Sequence, residues 1–200
     1  MPTSGKYEDP ANGWESVAKE FISIASCDIG AATVLSWSRF LVPGHAVLDV
    51  GCGFGGTYTQ GLTENGIEVY GIDASATLVL EHQKRFPNAC VRCEPTEESS
   101  FFNREFDGVL SVGLIFLLPQ ELQQMVLVKM AAVVKVEGRL LFSSPFQACD
   151  WHDLLTGKKS ASLGREMYIK TLQKHGMKLI GEYTDEGDNH YYDFKKVHTV

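Results

Sequence analysis

Residues 47–56 are Val-Leu-Asp-Val-Gly-Cys-Gly-Phe-Gly-Gly, and they carry the strongest structural signal in the sequence. The first four residues predict a buried strand that runs directly into a glycine-rich turn. Glycine permits the backbone angles of a tight turn and lets a ligand approach where a Cβ atom would clash. The helix predicted to begin at Thr57 would add unbonded backbone N–H groups. The stretch therefore predicts strand, turn and helix, with a ligand at the turn.

Short apolar runs alternate with amphipathic helices from Ala46 onwards. Strands are predicted at 46–50, 68–72, 89–93, 107–112 and 138–143, and helices at 57–64, 75–86 and 119–134. This alternation predicts parallel strands joined by crossover helices, an α/β arrangement. A loop is predicted at 144–164 and a helix at 165–175. The last strands, 178–183 and 191–197, are only seven residues apart, so they form an antiparallel pair.

The first 45 residues are predicted to be helical. One helix face is formed by Trp14, Val17, Ala18, Phe21 and Ala25. These positions follow the helical period. Asp28 is the predicted N-cap of a second helix, which ends at Pro43-Gly44.

Composition predicts one soluble domain spanning 1–200. The net charge of −7 and pI near 5.4 argue against nucleic acid or an anionic membrane as the main partner, because both bind cationic surfaces. No apolar run is long enough to span a membrane, and the first eight residues lack a signal-peptide core. The cysteines are odd in number and favour a reducing, cytoplasmic compartment. They are Cys27, Cys52, Cys90, Cys93 and Cys149.

The acid two residues before the first glycine narrows the choice of ligand. Asp49 would repel a pyrophosphate and suits a phosphate-free ligand that carries an ammonium group. With this acid and Gly51, Gly53 and Gly55, the sequence resembles the class I S-adenosylmethionine-dependent methyltransferases. The resemblance extends from about Trp14 to Val197. Read loosely, the glycines also fit the GxGxxG pattern of dinucleotide sites, which alone is weak evidence.

The resemblance implies a Rossmann-like seven-stranded sheet in the order 3-2-1-4-5-7-6, with the last strand antiparallel and helices on both faces. It implies a core at 46–200 and a helical lid at 1–45. Trp14 and Phe21 then fall where such proteins carry aromatic lid residues, although core packing explains their spacing equally well. The implied cofactor is S-adenosylmethionine, and the product is S-adenosylhomocysteine. Motifs at 145–164 and 185–192 resemble a small bacterial-type subgroup of undefined substrate.

Asp73 follows Gly51 by 22 residues, at the end of the second predicted strand. A carboxylate there can accept hydrogen bonds from the 2′,3′-diol of a ribose. The alternative role is to cap the next helix, for which Ala74-Ser75 offers a competing cap. This feature fits NAD as well as the methyl donor.

The resemblance implies that the segment after the third strand binds the edge of the cofactor's adenine. Pro95 replaces one of the family's acids, so Glu94 and Glu97 both remain candidates, and a solvated acidic loop is the alternative. Ser111 and Gly113 are implied to lie beneath the methionine portion. The complete predicted cofactor set is Trp14, Asp49, Gly51, Cys52, Gly53, Gly55, Asp73, Ala74, Thr96, Glu97, Ser111 and Gly113.

The acceptor wall is expected from the lid, the loop after the fifth strand and the last hairpin. His152 and His190 are candidate proton acceptors, and Tyr191 is a candidate for orienting the acceptor. The alternatives are that His152 is a solvated loop histidine and that His190 and Tyr191 take part in ordinary hairpin packing. Cys90 and Cys93 point to opposite faces of a strand and predict no metal or redox site. Strands four and five are followed by no acid, so a catechol-type Mg²⁺ site lacks its ligands.

The sequence therefore predicts an enzyme that methylates a small molecule by in-line transfer. The expected state is a monomer or weak homodimer. Three alternatives stay open: an NAD-dependent oxidoreductase, an aminopropyltransferase, and a non-catalytic nucleoside-binding scaffold. Asp49 disfavours the first, and the missing acidic triple-glycine loop disfavours the second. The intact glycine turn disfavours the third.

Overall fold

The computed structural model describes residues 9–25 and 28–198, so Cys27 and the first eight residues discussed above lie outside it. The helices are α1 (Trp14–Ile24), α2 (Ala31–Trp37), α3 (Thr57–Glu64), α4 (Ala76–Arg85), α5 (Gln120–Ala132) and α6 (Arg165–Gln173). The strands are β1 (Ala46–Val50), β2 (Glu68–Asp73), β3 (Cys90–Cys93), β4 (Phe106–Ser111), β5 (Val134–Ser143), β6 (Ala148–His152), β7 (Lys159–Leu163), β8 (Met177–Thr184) and β9 (His190–Lys196). None of the helices described is long and apolar enough to cross a bilayer.

Seven strands form one sheet in the order β3-β2-β1-β4-β5-β9-β8. Strands β1 to β5 pair in parallel, whereas β9 is antiparallel to both β5 and β8. The predicted sixth and seventh strands are β8 and β9, so this is the predicted order 3-2-1-4-5-7-6. Only residues 185–189 join β8 to β9, which is too short for a crossover and forces the antiparallel end.

The segment between β5 and α6 is not the predicted loop. Strands β6 and β7 form a separate antiparallel hairpin that pairs Ala148 with Leu163 and His152 with Lys159. The small side chains at 160–162 are buried, whereas β6 is mostly exposed. Neither strand has the large alternating apolar residues that identify a strand in sequence. For this reason the sequence predicts a loop here and not a hairpin.

The N-terminal segment forms two helices as predicted, but Asp28 does not cap the second. The N-cap of α2 is Gly30, with φ of 76°. The carboxylate of Asp28 instead accepts a hydrogen bond from Thr57 Oγ1 at 2.7 Å. The capping prediction is wrong because Asp28 is joined to the first residue of α3.

Strand β1 lies in the middle of the sheet and is buried along its whole length. Leu48 and Val50 face a core that includes residues of α5 and α6, whereas Val47 faces a core that includes residues of α2 and α3. Helices therefore cover both faces, as the period of two along a strand requires. The loops at the carboxyl ends of β1, β2 and β4 are left together at one edge, where open α/β sheets bind ligands.

Candidate functional site

The glycine-rich turn leaves the carboxyl end of β1 in a left-handed conformation. Gly51 and Gly53 have φ of 78° and 53°, angles that favour glycine. A Cβ atom on Gly51 would lie 2.9 Å from Leu114 Cβ, whereas one on Gly53 would meet no protein atom within 4 Å. Gly51 therefore permits close packing against Leu114, and Gly53 leaves open space.

The backbone N–H groups of this turn are largely used within the protein. Gly51 and Cys52 both donate to the carbonyl of Ile72, Gly53 donates to Asp73, and Gly55 donates to the carbonyl of Cys52. The turn residues thus offer few free donors to a ligand. An anion-binding turn needs such donors, so this arrangement does not favour a phosphate.

Asp73 connects the turn to the start of α4. Its Oδ2 accepts the Gly53 N–H at 3.0 Å, and its Oδ1 accepts the Ser75 N–H at 2.9 Å. The N-cap of α4 is Ser75, whose Oγ accepts the Leu78 N–H, so the helix-cap role falls to Ser75. Burial raises the pKa of Asp73, although the two backbone hydrogen bonds oppose the shift. Each carboxylate oxygen keeps a lone pair for a further donor.

A cavity of about 780 Å³, its mouth included, opens beside the turn. Its wall is formed by parts of the lid (10–12, Trp14, Phe21), the turn (Gly51, Gly53), the residues 73–74, Leu78, the residues 96–97, and most of 112–118. Most of these side chains are apolar. A second cleft continues along the turn, sharing Phe21, Gly51, Gly53 and Val112 with the cavity and adding Cys52, Gly55 and Tyr58.

The segment after β3 contributes Thr96 and Glu97 to the cavity wall. Glu94 instead accepts a hydrogen bond from Ser99 Oγ at 2.6 Å. Of the two acids left open by the sequence, Glu97 is the one that lines the cavity. Lys129 of α5 holds this segment, because its Nζ donates to the carbonyls of Thr96, Glu97 and Ser99 at 3.0, 2.8 and 2.9 Å.

The lid closes one side of the cavity and is fixed at two points. Trp14 and Phe21 both line the cavity and contact each other edge to face, with ring centroids 5.1 Å apart. Glu15 accepts hydrogen bonds from Ser75 Oγ at 2.5 Å and from Thr77 Oγ1 at 2.7 Å. The side chain of Asn12 donates to the carbonyl of Leu117 at 2.7 Å. Glu15 and Asn12 were missed because their partners lie more than 50 residues away in sequence.

Asp49 lies beneath the turn and not on the cavity wall. It is 1% exposed; its Oδ2 accepts a hydrogen bond from Tyr58 at 3.0 Å, and its Oδ1 has no partner among the described residues. Burial, which outweighs the Tyr58 hydrogen bond, raises the pKa of Asp49 to about 7, and the nearby charge of Asp73 adds to the shift. A buried carboxylate without a counter-charge is costly, so a cation bound at this end of the turn would stabilise it.

The remaining predicted cofactor residues fall into three groups. Ala74 and Gly113 line the cavity, and Cys52 and Gly55 line the second cleft. Ser111 is fully buried and donates to the carbonyl of Val50 at 2.9 Å. It therefore joins β4 to β1 and does not reach the cavity.

The three predicted acceptor-side residues do not line the cavity. His152 is exposed on β6. His190 lies 3.1 Å from Glu182 and contacts the rings of Phe146 and Tyr192. Tyr191 is buried and donates to Asp185 at 2.9 Å, and both effects raise its pKa. Hairpin packing, the alternative given above, accounts for His190 and Tyr191.

Residues 47–138 match a protein-family model described as a methyltransferase domain. This range includes the turn, Asp73, the segment at 96–97 and Gly113. No curated protein matches the sequence significantly.

Solved structures resemble most of the chain. One is the magnesium protoporphyrin IX methyltransferase ChlM from Synechocystis PCC 6803 with bound S-adenosylmethionine, at TM-score 0.73 and 17% identity, covering 97% of this chain and 100% of that chain. Another is the N-methyltransferase NodS from Bradyrhizobium japonicum WM9 with S-adenosylhomocysteine, at TM-score 0.66 and 16% identity, covering 84% and 86%. A third is the [4+2]-cyclase SpnF, at TM-score 0.67 and 13% identity, covering 84% and 82%. At these identities the likeness establishes the fold.

Proposed function

Because the chain carries a methyltransferase domain in a class I fold, we propose that it transfers the methyl group of S-adenosylmethionine to a small-molecule acceptor. The observation that carries the proposal is the juxtaposition of Asp73, Glu97 and the open space at Gly53 around one apolar cavity. Asp73 suits a ribose diol, and Glu97 suits the amino edge of a base. Ala74 and Leu78 supply apolar surface between them.

The negative charges beside the turn favour binding of a cationic ligand. Asp49 is buried, and one of its oxygens has no partner within the described part of the chain. The turn residues Gly51, Cys52 and Gly53 use their N–H groups internally. The cavity wall carries Asp73 and Glu97 but no Lys or Arg among the described residues. A dinucleotide brings a pyrophosphate, which requires free donors or cations. These features favour the methyl donor, with its ammonium and sulfonium, over NAD.

The bound donor supplies an activated methyl group, and the protein's contribution is geometric. The turn and Asp73 hold the nucleoside, and Leu114 and Gly113 shape the floor at the end of β4. Trp14 and Phe21 exclude water from one side. Transfer then requires the acceptor atom to approach in line with the bond that breaks.

Isothermal calorimetry with S-adenosylmethionine, S-adenosylhomocysteine and NAD tests the proposal. We expect micromolar binding of the first two and no detectable binding of NAD. Binding of NAD alone would contradict the proposal and favour an oxidoreductase. Binding of the first two without methyl transfer to any small molecule would favour the nucleoside-binding scaffold.

Comparing Gly53→Ala with Gly157→Ala should distinguish the loss of a ligand contact from the effect of backbone strain. Gly53 and Gly157 both have positive φ, 53° and 65°, and an added Cβ would meet no protein atom within 4 Å at either position. Each substitution should therefore cost about 1 kcal/mol of stability. Only Gly53 lines the cavity, so only Gly53→Ala should weaken S-adenosylhomocysteine binding, by at least about tenfold. Equal affinities of the two variants in calorimetry would show that the ligand does not approach Gly53.

A further inference from the structure

The described residues of the cavity wall include no proton acceptor that the bound cofactor would leave free. Among the described residues that line it, none is His, Lys, Arg, Cys, Tyr or Ser. The two carboxylates present, Asp73 and Glu97, are those proposed above for the ribose and the base. An acceptor that arrives as an alcohol or an ammonium ion would therefore keep its proton, and such groups are poor nucleophiles until they lose it.

The apolar cavity wall also favours a reaction in which opposite charges cancel. The floor and side of the cavity at residues 112–118 include Val112, Leu114, Leu117 and Leu118. When an anion attacks a sulfonium, opposite charges cancel, and a poorly solvating environment favours that loss of charge. A neutral nucleophile only moves the positive charge to a new atom and gains no such advantage.

A side cleft of about 710 Å³ adjoins the cavity and shares Asn12 and Leu118 with it. Lys158 and Lys159 line this side cleft. The stem of Lys158 lies over the lid, because a Cβ atom on Gly13 would be 3.4 Å from its Cγ and 3.5 Å from its Cε.

The two lysines of the side cleft differ in their partners. Lys159 pairs with Asp150 at 2.6 Å. Among the described residues Lys158 has no ion pair, and Glu121 is the acid on the same wall. An unpaired ammonium group thus lies where the lid, the β6–β7 hairpin and the cavity meet.

Building on the proposed function, we propose that the acceptor is a small apolar molecule whose nucleophile is a carboxylate, and that it enters through the side cleft past Lys158. The anion's electron pair forms the bond to the methyl carbon. The carbon–sulfur bond of the sulfonium breaks, and its electron pair becomes a lone pair on sulfur. No proton moves, and the products are a methyl ester and S-adenosylhomocysteine.

Methyl transfer into a fractionated extract tests this proposal. Small molecules from cells of the source organism are separated by anion exchange into retained and unretained pools, and each is incubated with the protein and radiolabelled S-adenosylmethionine. We expect label in the retained pool that mild alkali releases as methanol, as from an ester. Label that withstands mild alkali would overturn the proposal. A retained pool without label overturns the proposal, whatever the unretained pool shows. Failure of the donor to bind in calorimetry would instead count against the proposed function.

Charge reversal at Lys158 tests the route of entry. With the labelled pool as acceptor, Lys158→Glu should raise the apparent KM about tenfold at low salt while kcat and the donor's Kd stay unchanged, and added salt should reduce the difference. Lys174→Glu, at an exposed position at the end of α6, is the matched control and should leave KM unchanged. An unchanged KM in Lys158→Glu, or the same rise in both variants, refutes this route.

Discussion

Replacing Asp49 by Asn should weaken S-adenosylmethionine binding about 10- to 100-fold at pH 8, the range expected when an attraction of about 1.5–3 kcal/mol between opposite charges in a poorly solvated site is lost. The reason is the buried carboxylate: among the residues that the structure describes, its Oδ1 has no partner, and its Oδ2 accepts a hydrogen bond from Tyr58. A cation at the end of the turn supplies the missing counter-charge. Calorimetry measures the loss, with Glu64→Gln, an exposed acid at the end of α3, as the control.

The same carboxylate should make donor binding depend on pH. Burial raises the pKa of Asp49 to about 7, so below pH 7 the group binds a proton that a cationic ligand must displace. The Kd should then rise about tenfold for each unit that pH falls below 7. Between pH 5.5 and 7 the donor's own amino group stays protonated, since its ordinary pKa is about 8, so only the protein titrates. Asp49→Asn should show no such slope and should converge with the unmodified protein near pH 5.5. A slope that persists in the variant would assign the titration to another group.

As pH falls, the stability of the ligand-free protein should increase, whereas its affinity for the donor should decrease. The folded-state pKa of Asp49 is raised above its unfolded value, so the stability that the protonated carboxyl provides is full below about pH 4 and is lost as pH rises through 7. At pH 8 the ligand-free Asp49→Asn protein should therefore unfold at a higher temperature than the unmodified protein. Scanning calorimetry checks this. A lower unfolding temperature would mean that the loss of binding reflects damage to the fold.

The sheet could be predicted from sequence because its signals are local. Residues 46–50 and 57–64 have the predicted bounds, since a buried apolar run and a helix after glycines are each specified by neighbouring residues. The order of strands followed from the resemblance, and the antiparallel end followed from the short connection before His190. These features depend on period and spacing, which the sequence displays directly.

The missed features depend on contacts between distant residues. Glu15 is an acid in the first turn of α1, and nothing near it in sequence indicates that it bonds to Ser75 and Thr77. Tyr191 is a candidate for orienting the acceptor because aromatic residues with His and Asn in loops suit a small-molecule pocket, yet its hydroxyl donates to Asp185 within the core. The candidate site residues at the strand ends could therefore be predicted from sequence. The contacts made by the lid and by the last hairpin could be found only from the three-dimensional structure.

Asp73→Ala should have the largest effect on binding, about a 1,000-fold increase in the Kd of S-adenosylhomocysteine, because two hydrogen bonds from ribose to a carboxylate at about 1.5–3 kcal/mol each are lost. The residue also organises the turn through the N–H groups of Gly53 and Ser75, so affinity alone does not distinguish the two roles.

The 2′-deoxy analogue of S-adenosylhomocysteine separates these roles in a double cycle. If Asp73 binds the diol, the analogue should bind the unmodified protein about tenfold or more weakly than S-adenosylhomocysteine, and this difference should vanish in Asp73→Ala. If Asp73 only shapes the turn, the penalty for removing the hydroxyl should be the same in both proteins. Each oxygen of Asp73 is occupied by a single backbone donor, which leaves room for the ribose, so we expect the difference to vanish.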